Sequence, residues 1–259
     1  VGQWLTCYVH PQLFEKADED VEMVHEGHVV ILEDDMQASP VYWKWLKQMW
    51  AHYRRRQDLI GISLQSQHLI SSSGSDRLVV TNDFNPYMYK VSGSWGFSPH
   101  PRAWPQFLKW QAKLAPTGYV PSDLTFKGTP VITSKWWVGM EREGRDPKMW
   151  TAWCMKYMEE KGLFCLYPNL PKKQAFISSW NEKGEHDPGA MQGKPSTALV
   201  AKWDAACEHF PVSPWRIDHD GSQIHSAERP LRPRSCNLAG SNIIFDGYIY
   251  QLQGGMGLG

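Results

Sequence analysis

Three consecutive acidic residues, Glu33, Asp34 and Asp35, directly follow the apolar run at 28–32. Adjacent carboxylates repel one another and raise one another's pKa values, so the group is costly unless a cation lies among its members. Carboxylate oxygens are the ligands that Mg²⁺ and Mn²⁺ prefer, and substrate phosphates often complete the shell of such an ion. The pattern predicts a metal site at the end of a strand. The alternative is a solvated acidic turn that caps the helix after Pro40.

Two further segments follow the triplet in the chain, Val-Ser-Gly-Ser-Trp-Gly-Phe at 91–97 and Asn-Glu-Lys-Gly-Glu-His at 181–186. Together with the run at 29–36 and the Ser39-Pro40 step, they resemble segments of the GT-A fold glycosyltransferases. The similarity is to the N-acetylglucosaminyltransferase I-like group and to its viral and algal sugar-transferase relatives. There, a DxD-type metal segment, a glycine-tryptophan segment and a "KG…H" stretch occur in this order. The resemblance covers about residues 28–187.

The resemblance implies an α/β fold of GT-A (Rossmann-like) type, with a mixed sheet flanked by helices. It implies transfer of a sugar, with inversion, from a nucleotide-sugar donor, most simply a UDP-sugar, to a glycan, protein or other hydroxyl acceptor. Mn²⁺ or Mg²⁺ would neutralise the leaving diphosphate. Members of the eukaryotic family act in the Golgi or secretory lumen, so the same location is implied if this protein is like them.

The same resemblance assigns roles to individual residues. Asp35 becomes the direct metal ligand, and Asp34 and Glu33 support the ion or the nucleotide ribose. His186 adds a metal ligand or a hydrogen bond to the diphosphate, unless it is an ordinary surface histidine. Gly93 and Trp95 belong to the nucleotide-sugar site, although any one of the 14 tryptophans is as easily explained as core.

The sequence departs from the group in two respects. Only 32 residues precede Glu33, whereas the group holds its nucleotide with two or three βαβ-sized units at this point. We therefore expect the fold to lack part of the N-terminal nucleotide-binding half. The group's catalytic aspartate lies in a Trp-Asp-Asp-Trp-like stretch, and the corresponding Met149–Trp153 has Thr151 and Ala152 there.

An inverting transferase needs a group that takes the proton of the acceptor hydroxyl. Asp123, in a Pro- and Gly-rich stretch, is the candidate. Glu141 and Glu143 are interpreted as solvent-exposed residues at the edge of the protein and not as the base. Asp146 is interpreted as the N-cap of a helix.

The elements that must position these residues are predicted from hydrophobic spacing and from turn and cap residues. The predicted helices span Val41–Arg56, 102–114, 146–161 and 196–209. The predicted strands span 28–32, Leu59–Leu64, Tyr87–Val91 and Leu163–Tyr167, with a hairpin around Asp246-Gly247. Residues 116–135 are predicted to form a long loop, and the chain from about 210 to 235 an irregular wrap.

Composition excludes several classes of protein. The 259 residues include 27 Lys+Arg and 27 Asp+Glu, so no basic surface for nucleic acid or anionic membranes is expected. Five scattered cysteines without a CxxC pair argue against structural zinc. We expect a GT-A-like domain over 1–190 and a C-terminal extension over 191–259.

Two hypotheses from different classes follow. The first is the metal-dependent transferase. The second is a non-catalytic glycosyltransferase-like subunit that binds protein partners through the C-terminal extension; the Thr-Ala replacement and the aromatic, Pro-rich last third fit it. A lectin-like sugar binder is a third possibility.

Overall fold

A five-stranded mixed sheet with helices on both faces organises the first of two compact units, Val1–Ile224; the second unit is His225–Gly259. The computed structural model describes residues 29–33, 35–75, 77–180, 197–225, 242–245 and 248–251.

The described helices and strands have the following bounds. The α-helices are α1 Tyr42–Tyr53, α2 Ala103–Leu114, α3 Ile132–Arg142 and α4 Trp150–Lys161. The strands are β1 Met36–Ala38, β2 Leu59–Ser63, β3 Tyr87–Tyr89, β4 Phe97–Pro99, β5 Thr125–Phe126, β6 Thr129–Pro130, β7 Phe164–Tyr167, β8 Ile177–Ser179, β9 Trp215–Ile217, β10 Asn242–Phe245 and β11 Tyr248–Gln251. None of the helices in the described ranges has the length and apolar character that crossing a bilayer requires.

The main sheet has the strand order β4-β2-β7-β3-β9. β2 and β7 are parallel, β4 is antiparallel to β2, β3 is antiparallel to β7, and β9 is parallel to β3. Three antiparallel pairs lie outside this sheet: β1 with β8, β5 with β6, and, in the second unit, β10 with β11. The expected mixed α/β architecture is therefore present.

The sheet separates two hydrophobic clusters, and the register of β2 against β7 shifts between Leu59 and Gly61, so the side chains of β2 do not alternate strictly between the two faces. Ile60 joins the cluster formed with α2, α3 and α4, whereas Leu59 and Ile62 join the cluster formed with α1. The apolar stripe predicted for α1 is confirmed, since all of its core-facing residues are buried: Trp45, Leu46, Met49, Trp50 and Tyr53. Both sheet faces are thus covered by helices.

A network of polar side chains around the buried His219 connects the segment that follows β9 to α4. His219 is 1% exposed; its Nδ1 lies 3.1 Å from Ser71 Oγ, and its Nε2 lies 3.5 Å from Glu159 Oε2 on α4. Lys90 Nζ lies 3.2 Å from the same Glu159 oxygen. The His219 imidazole, followed by the Lys90 charge, lowers the pKa of Glu159 to about 2 against the opposing effect of burial. This carboxylate therefore stays ionised at neutral pH.

Several sequence-based predictions are confirmed. β2, β3, β7, α2 and the end of α4 at Gly162 lie where they were expected, and Gly162 has the left-handed backbone of a C-cap. In the second unit, the register of β10 and β11 pairs Phe245 with Tyr248, which is the expected hairpin with a two-residue connection.

The predicted strand at 28–32 is wrong over the residues described there. Ile31 makes a single antiparallel bridge to Phe97 of β4, and Val30, Ile31 and Leu32 are half-buried. They lie beside β4 at the edge of the main sheet, and the described pairing there is limited to this one bridge.

Two predictions fail between α2 and α4. The long loop predicted at 116–135 contains two 3₁₀ turns, the β5–β6 hairpin and the first residues of α3. Asp146 is not a helix cap: α4 begins at Trp150 after Met149, and Asp146 instead pairs with Lys148, at 3.4 Å. The Asp-Pro pair resembles a cap locally, but the helix starts where its apolar side chains meet the core.

The helix predicted at 196–209 is also wrong. Within 197–209 the structure has only a 3₁₀ turn, Ala205–Glu208, capped by Asp204, whose carboxylate accepts from Ala206 N. Within the predicted wrap, Trp215–Ile217 joins the main sheet as β9. The first compact unit accordingly extends through Ile224.

Candidate functional site

Asp35 directly precedes β1, and the pairing of β1 with β8 determines its surroundings. Met36 lies opposite Ser179 in the ladder, and Trp180 N donates to Asp35 O at 2.9 Å. Ser179 Oγ donates to Asp35 Oδ2, also at 2.9 Å. The acidic triplet is thereby joined to a strand 144 residues away in the chain.

The other carboxylate oxygen, Asp35 Oδ1, is shielded from solvent and has no hydrogen-bond partner. A buried acceptor without a partner destabilises a protein by about 1–3 kcal/mol, and more when it is charged. A divalent cation at Oδ1 would remove this penalty, because it supplies positive charge and takes a hard oxygen ligand. Asp35 Oδ1 is thus one hard oxygen ligand of the kind that such an ion takes.

Ser39, the first residue of the Ser39-Pro40 pair, fixes the other end of β1 by hydrogen bonds. Ser39 N donates to Phe176 O at 2.8 Å, and Ser39 Oγ donates to Val200 O at 2.6 Å. Ser39 is 1% exposed. The backbone N and the buried side chain of Ser39 together connect the turn between β1 and α1 to the chain before and after β8.

The glycine-tryptophan segment meets the same strand. Gly96 has a φ of +63°, and a Cβ at this position would lie 2.5 Å from Ile177 Cγ1 on β8. Leu64 connects the two segments, since its N donates to Gly96 O at 3.1 Å and its O accepts from Ile177 N at 3.1 Å. Glycine is required here because both its backbone angle and the contact with Ile177 exclude a side chain.

β8 is therefore the strand at which Asp35 of the acidic triplet and Gly96 of the glycine-tryptophan segment meet. Asp35 pairs beside it, Gly96 packs on it, and residues 181–186 follow in the chain immediately after Trp180. His186 lies outside the described residues, as does Asp34. Both remain predictions.

Trp95 and Gly93 have well-defined surroundings. Trp95 N donates to Gln65 Oε1 at 3.0 Å, and the half-buried Trp95 side chain packs against the α1 cluster. A Cβ on Gly93 would meet Ser63, Gln65 Oε1 at 2.7 Å and Tyr167 OH at 2.9 Å. These neighbouring side chains leave no room for a Cβ, which is a structural reason for glycine at position 93. Its contribution to a nucleotide-sugar site stays a prediction.

Within the described residues, no three His, Cys, Asp or Glu side chains come together in a group that could hold a metal ion. Glu33, which is exposed, is the other described member of the triplet. A resident ion would therefore use Asp35 as its described buried ligand and would need further oxygen ligands from substrate phosphates or water.

Asp123 is held by contacts with α3 and α4. It ends the 3₁₀ turn Pro121–Asp123, which contacts α3 and α4, and its Oδ1 lies 2.8 Å from Lys156 Nζ on α4. Its side chain is 63% exposed. The described contacts hold Asp123 against α4 and none of them connects it to Asp35, so its role as a base stays a prediction.

The other carboxylates considered as bases also have partners. Glu141 Oε1 accepts from Trp137 Nε1 at 2.9 Å, Glu143 pairs with Arg145, and Asp146 with Lys148. Ala152, at the position of the family's catalytic stretch, is 1% exposed within the core on the α4 side, and Thr151 is half-buried.

A shallow cleft of about 420 Å³ lies elsewhere, between the turn at 71–75, the β5–β6 hairpin and α3. None of the predicted site residues that the structure describes lines it. Its two lysines are already engaged: Lys127 Nζ lies 2.8 Å from Asp220 Oδ2, and Lys135 Nζ donates to Ser72 O at 2.9 Å. The Asp35 region agrees better with the chemistry predicted from the sequence than this cleft does.

Ser179 and Gln65 are the site residues that sequence reasoning missed. Neither belongs to a spacing pattern with the acidic triplet, and only the pairing of β1 with β8 and the contact of Gly96 with Ile177 bring them there. No protein-family model matches this chain, and no curated protein sequence matches it either.

Proposed function

We propose that the chain is a metal-dependent glycosyltransferase domain of GT-A type. It transfers a sugar from a nucleotide-sugar donor, most simply a UDP-sugar, to a hydroxyl of a glycan or protein acceptor with inversion at the sugar carbon. The observation that carries the proposal is that Asp35 of the acidic triplet and Gly96 of the glycine-tryptophan segment both contact β8, the strand that precedes 181–186 in the sequence. Two segments of the resemblance that are far apart in the chain thus contact the same strand, which supports the proposal.

The architecture supports the proposal at a coarser level. A mixed sheet with helices on both faces is compatible with a GT-A fold. β8, which pairs with β1 next to Asp35, is hydrogen-bonded through Ile177 N to the O atom of Leu64, the residue that follows the carboxyl end of β2. Open α/β sheets bind their ligands beyond the carboxyl ends of their strands.

In this proposal the residues of the chain have separate tasks. Asp35 Oδ1 holds Mn²⁺ or Mg²⁺, and Ser179 holds the other oxygen of the same carboxylate. The bound ion would stabilise the negative charge on the departing diphosphate. Trp95 offers an aromatic face for a sugar or base. Proton removal from the acceptor is assigned to Asp123, whose ion pair with Lys156 must then open.

Isothermal titration calorimetry on the full chain tests the proposal. UDP is titrated with Mn²⁺ present and with Mn²⁺ removed by a chelator, and other nucleoside diphosphates are titrated in parallel. Binding that depends on Mn²⁺ supports the site. Absence of any metal-dependent nucleotide binding contradicts it.

A second candidate function, a non-catalytic glycosyltransferase-like subunit, is favoured by two observations. Ala152 occupies a buried core position where the resembled family has its catalytic carboxylate stretch, and Asp123 is paired with Lys156. This candidate predicts Mn²⁺-dependent UDP binding without release of UDP from any UDP-sugar. Measured UDP release in the presence of an acceptor distinguishes the two functions, since only the enzyme produces it.

A further inference from the structure

We infer that Ser71, His219 and Glu159 act as nucleophile, general base and orienting carboxylate in a second activity of the chain, the hydrolysis of small carboxylic esters. The three residues lie beside the shallow cleft between the turn at 71–75, the β5–β6 hairpin and α3. The inference goes beyond the proposed function and does not rest on it, because it uses neither Asp35 nor a metal ion.

Three residues that are far apart in the chain meet through one imidazole. His219 Nδ1 lies 3.1 Å from Ser71 Oγ, and His219 Nε2 lies 3.5 Å from Glu159 Oε2. Lys90 Nζ, 3.2 Å from the same Glu159 oxygen, holds that carboxylate in place on α4. Within the described chain, the buried Nε2 forms no hydrogen bond of ordinary length. Its contact with Glu159 is thus a long one, of the kind that shortens when substrate binds to an enzyme.

The charge of Glu159 decides which imidazole nitrogen carries the proton. An ionised carboxylate can only accept hydrogen bonds, so the neutral His219 ring is most stable with its proton on Nε2, facing Glu159. Nδ1 then offers its lone pair to the Ser71 hydroxyl, which donates to it. In this arrangement a histidine can remove the proton of a serine while a carboxylate orients the ring.

Phe126 connects these residues to the cleft. Its side chain lines the cleft, and its ring packs on the His219 ring, with the two centroids 5.6 Å apart. Ser71 is fully buried, so a substrate reaches it only after the β5–β6 hairpin has moved. Each strand of this hairpin has two residues, and the ion pair of Lys127 with Asp220 is solvent-exposed on the lysine side. Opening therefore breaks few strong interactions.

The reaction balances without a redox partner. Ser71 Oγ forms a bond to the carbonyl carbon of the ester while its proton moves to His219 Nδ1. The bond from this carbon to the alcohol oxygen then breaks, and the proton passes to the leaving alcohol. Water attacks the acyl-serine, His219 takes a proton from it and returns that proton to Ser71 Oγ as the carboxylic acid leaves. Lys135 Nζ, which donates to Ser72 O at 2.9 Å, places positive charge at this turn and favours the developing oxyanion.

Labelling with diisopropyl fluorophosphate, a reagent for serines that have a general base, tests the inference on the full chain. Peptide mass spectrometry should find the label on Ser71 and not on Ser134, which is also buried but donates to Leu124 O instead of to a histidine. Phe126→Ala should speed the labelling of Ser71 by about tenfold or more, because a hairpin that is open in a minor fraction of molecules loses its contact with His219.

Two variants examine the base and the orienting group. His219→Gln should slow the labelling of Ser71 by about a hundredfold or more, which is the usual contribution of a general base. If His219→Gln does not fold, Glu159→Gln serves instead, since its side chain is partly exposed; a loss of about tenfold or more is expected. p-Nitrophenyl acetate should be hydrolysed by Phe126→Ala at the same rate with and without a chelator.

The inference is overturned if Ser71 stays unlabelled in both the wild type and Phe126→Ala, or if Ser134 is labelled equally. A folded His219→Gln or Glu159→Gln that is labelled at the wild-type rate also overturns it, because these residues are then only structural. The same holds if Phe126→Ala does not hydrolyse p-nitrophenyl acetate. Mn²⁺-dependent binding of UDP is a separate measurement, so failure of either proposal leaves the other intact.

Discussion

At the scale of single residues, one carboxylate oxygen of Asp35 accepts a hydrogen bond and the other has no hydrogen-bond partner. The Ser179 hydrogen bond at Oδ2 and the buried, unpartnered Oδ1 make this carboxylate costly in the absence of a cation. Natural proteins retain such costly groups where function needs them, and replacing them often raises stability while function is lost.

This asymmetry leads to a prediction for Asp35→Asn. In metal-free buffer, the free energy of unfolding should stay the same or rise by up to about 1 kcal/mol, because a buried charge without a partner is removed. Urea unfolding measures this. In the same variant, the Mn²⁺-dependent affinity for UDP should be lost.

A clear loss of stability in Asp35→Asn without metal would contradict this description of Oδ1. Asp123→Asn is the matched control. Its carboxylate is exposed and paired with Lys156, so the change should alter the free energy of unfolding by less than about 1 kcal/mol and leave nucleotide binding unchanged.

His100 gives the protein a predictable response to acid. Burial, the largest effect, lowers the pKa of His100 to about 4 from 6.5. The neutral ring fits its surroundings: Nε2 lies 3.0 Å from Arg54 O, and Nδ1 accepts from Arg102 N and Ala103 N at the start of α2. The unfolded chain therefore takes up a proton near pH 6.5, and the folded chain does so only near pH 4.

Because the unfolded state binds more protons in this window, stability falls as the pH is lowered from about 6.5 towards 4. Between about pH 7 and about pH 5, His100 should account for roughly 2 kcal/mol of lost unfolding free energy. His100→Asn keeps an acceptor at the start of α2 but does not titrate, so its stability should depend less on pH in this range. Equal pH slopes for the two proteins would refute this role of His100.

The residue scale also shows the limits of prediction from sequence. Asp35 could be identified because three adjacent carboxylates are a local signal. Ser179 could not, since its hydrogen bond to Asp35 exists only through a strand pairing 144 residues apart. Asp146 was misassigned for the opposite reason, because a local cap pattern was followed by a helix that starts only at Trp150.

At the scale of elements, β8 is the strand on which the candidate site depends. It pairs with β1 beside Asp35, contacts Gly96 through Ile177, and directly precedes Trp180. It has only three residues, all buried. A disturbance of its contact with Gly96 should therefore affect both stability and the site.

For Gly96→Ala we expect a loss of about 2–4 kcal/mol in unfolding free energy, from left-handed backbone strain together with overpacking against Ile177. Gly118→Ala is the matched control. Gly118 also has a positive φ, of +77°, but nothing lies within 4 Å of an added Cβ, so its loss should be about 1–2 kcal/mol. Denaturant unfolding of the two variants measures the difference, and equal losses would show that the contact with Ile177 has little importance.

Elements with strong local patterns were predictable, and those set by tertiary context were not. α1 has apolar residues at helical spacing, and β2 and β7 are short apolar runs, so their positions followed from the sequence. α3 was missed because it follows a Pro- and Gly-rich stretch and contains Thr, Ser and Gly. β9 was missed because the three residues Trp-Arg-Ile form a strand only through pairing with β3.

At the scale of the whole molecule, the first compact unit needs its late residues. β9 completes the main sheet, Val200 and Cys207 lie in the α1 cluster, and Tyr53 OH donates to Pro211 O at 2.7 Å. Residues beyond the expected boundary at 190 thus contribute strand, core and hydrogen bonds. The boundary cannot be recognised from composition, because the segment that supplies these contacts is itself rich in Pro and polar residues.

Two truncations test this dependence. A chain ending at residue 225 should keep a cooperative thermal transition, since it retains every described residue of the first unit. A chain ending at 190 should lose that transition, because it lacks β9, Val200 and the buried His219. Circular dichroism melts of both proteins provide the measurement. A cooperative transition in the shorter chain would show that residues 191–225 are an independent extension.

The most direct test of the central claim is the position of a bound metal. Crystals of the full chain grown with Mn²⁺ and UDP, measured for the anomalous signal of manganese, should show a peak at about 2.2 Å from Asp35 Oδ1, the distance typical of Mn²⁺ or Mg²⁺ and a carboxylate oxygen. Asp35 Oδ2 should still accept from Ser179. Bound UDP without a manganese peak at Asp35, or a peak coordinated only by other residues, would contradict the account.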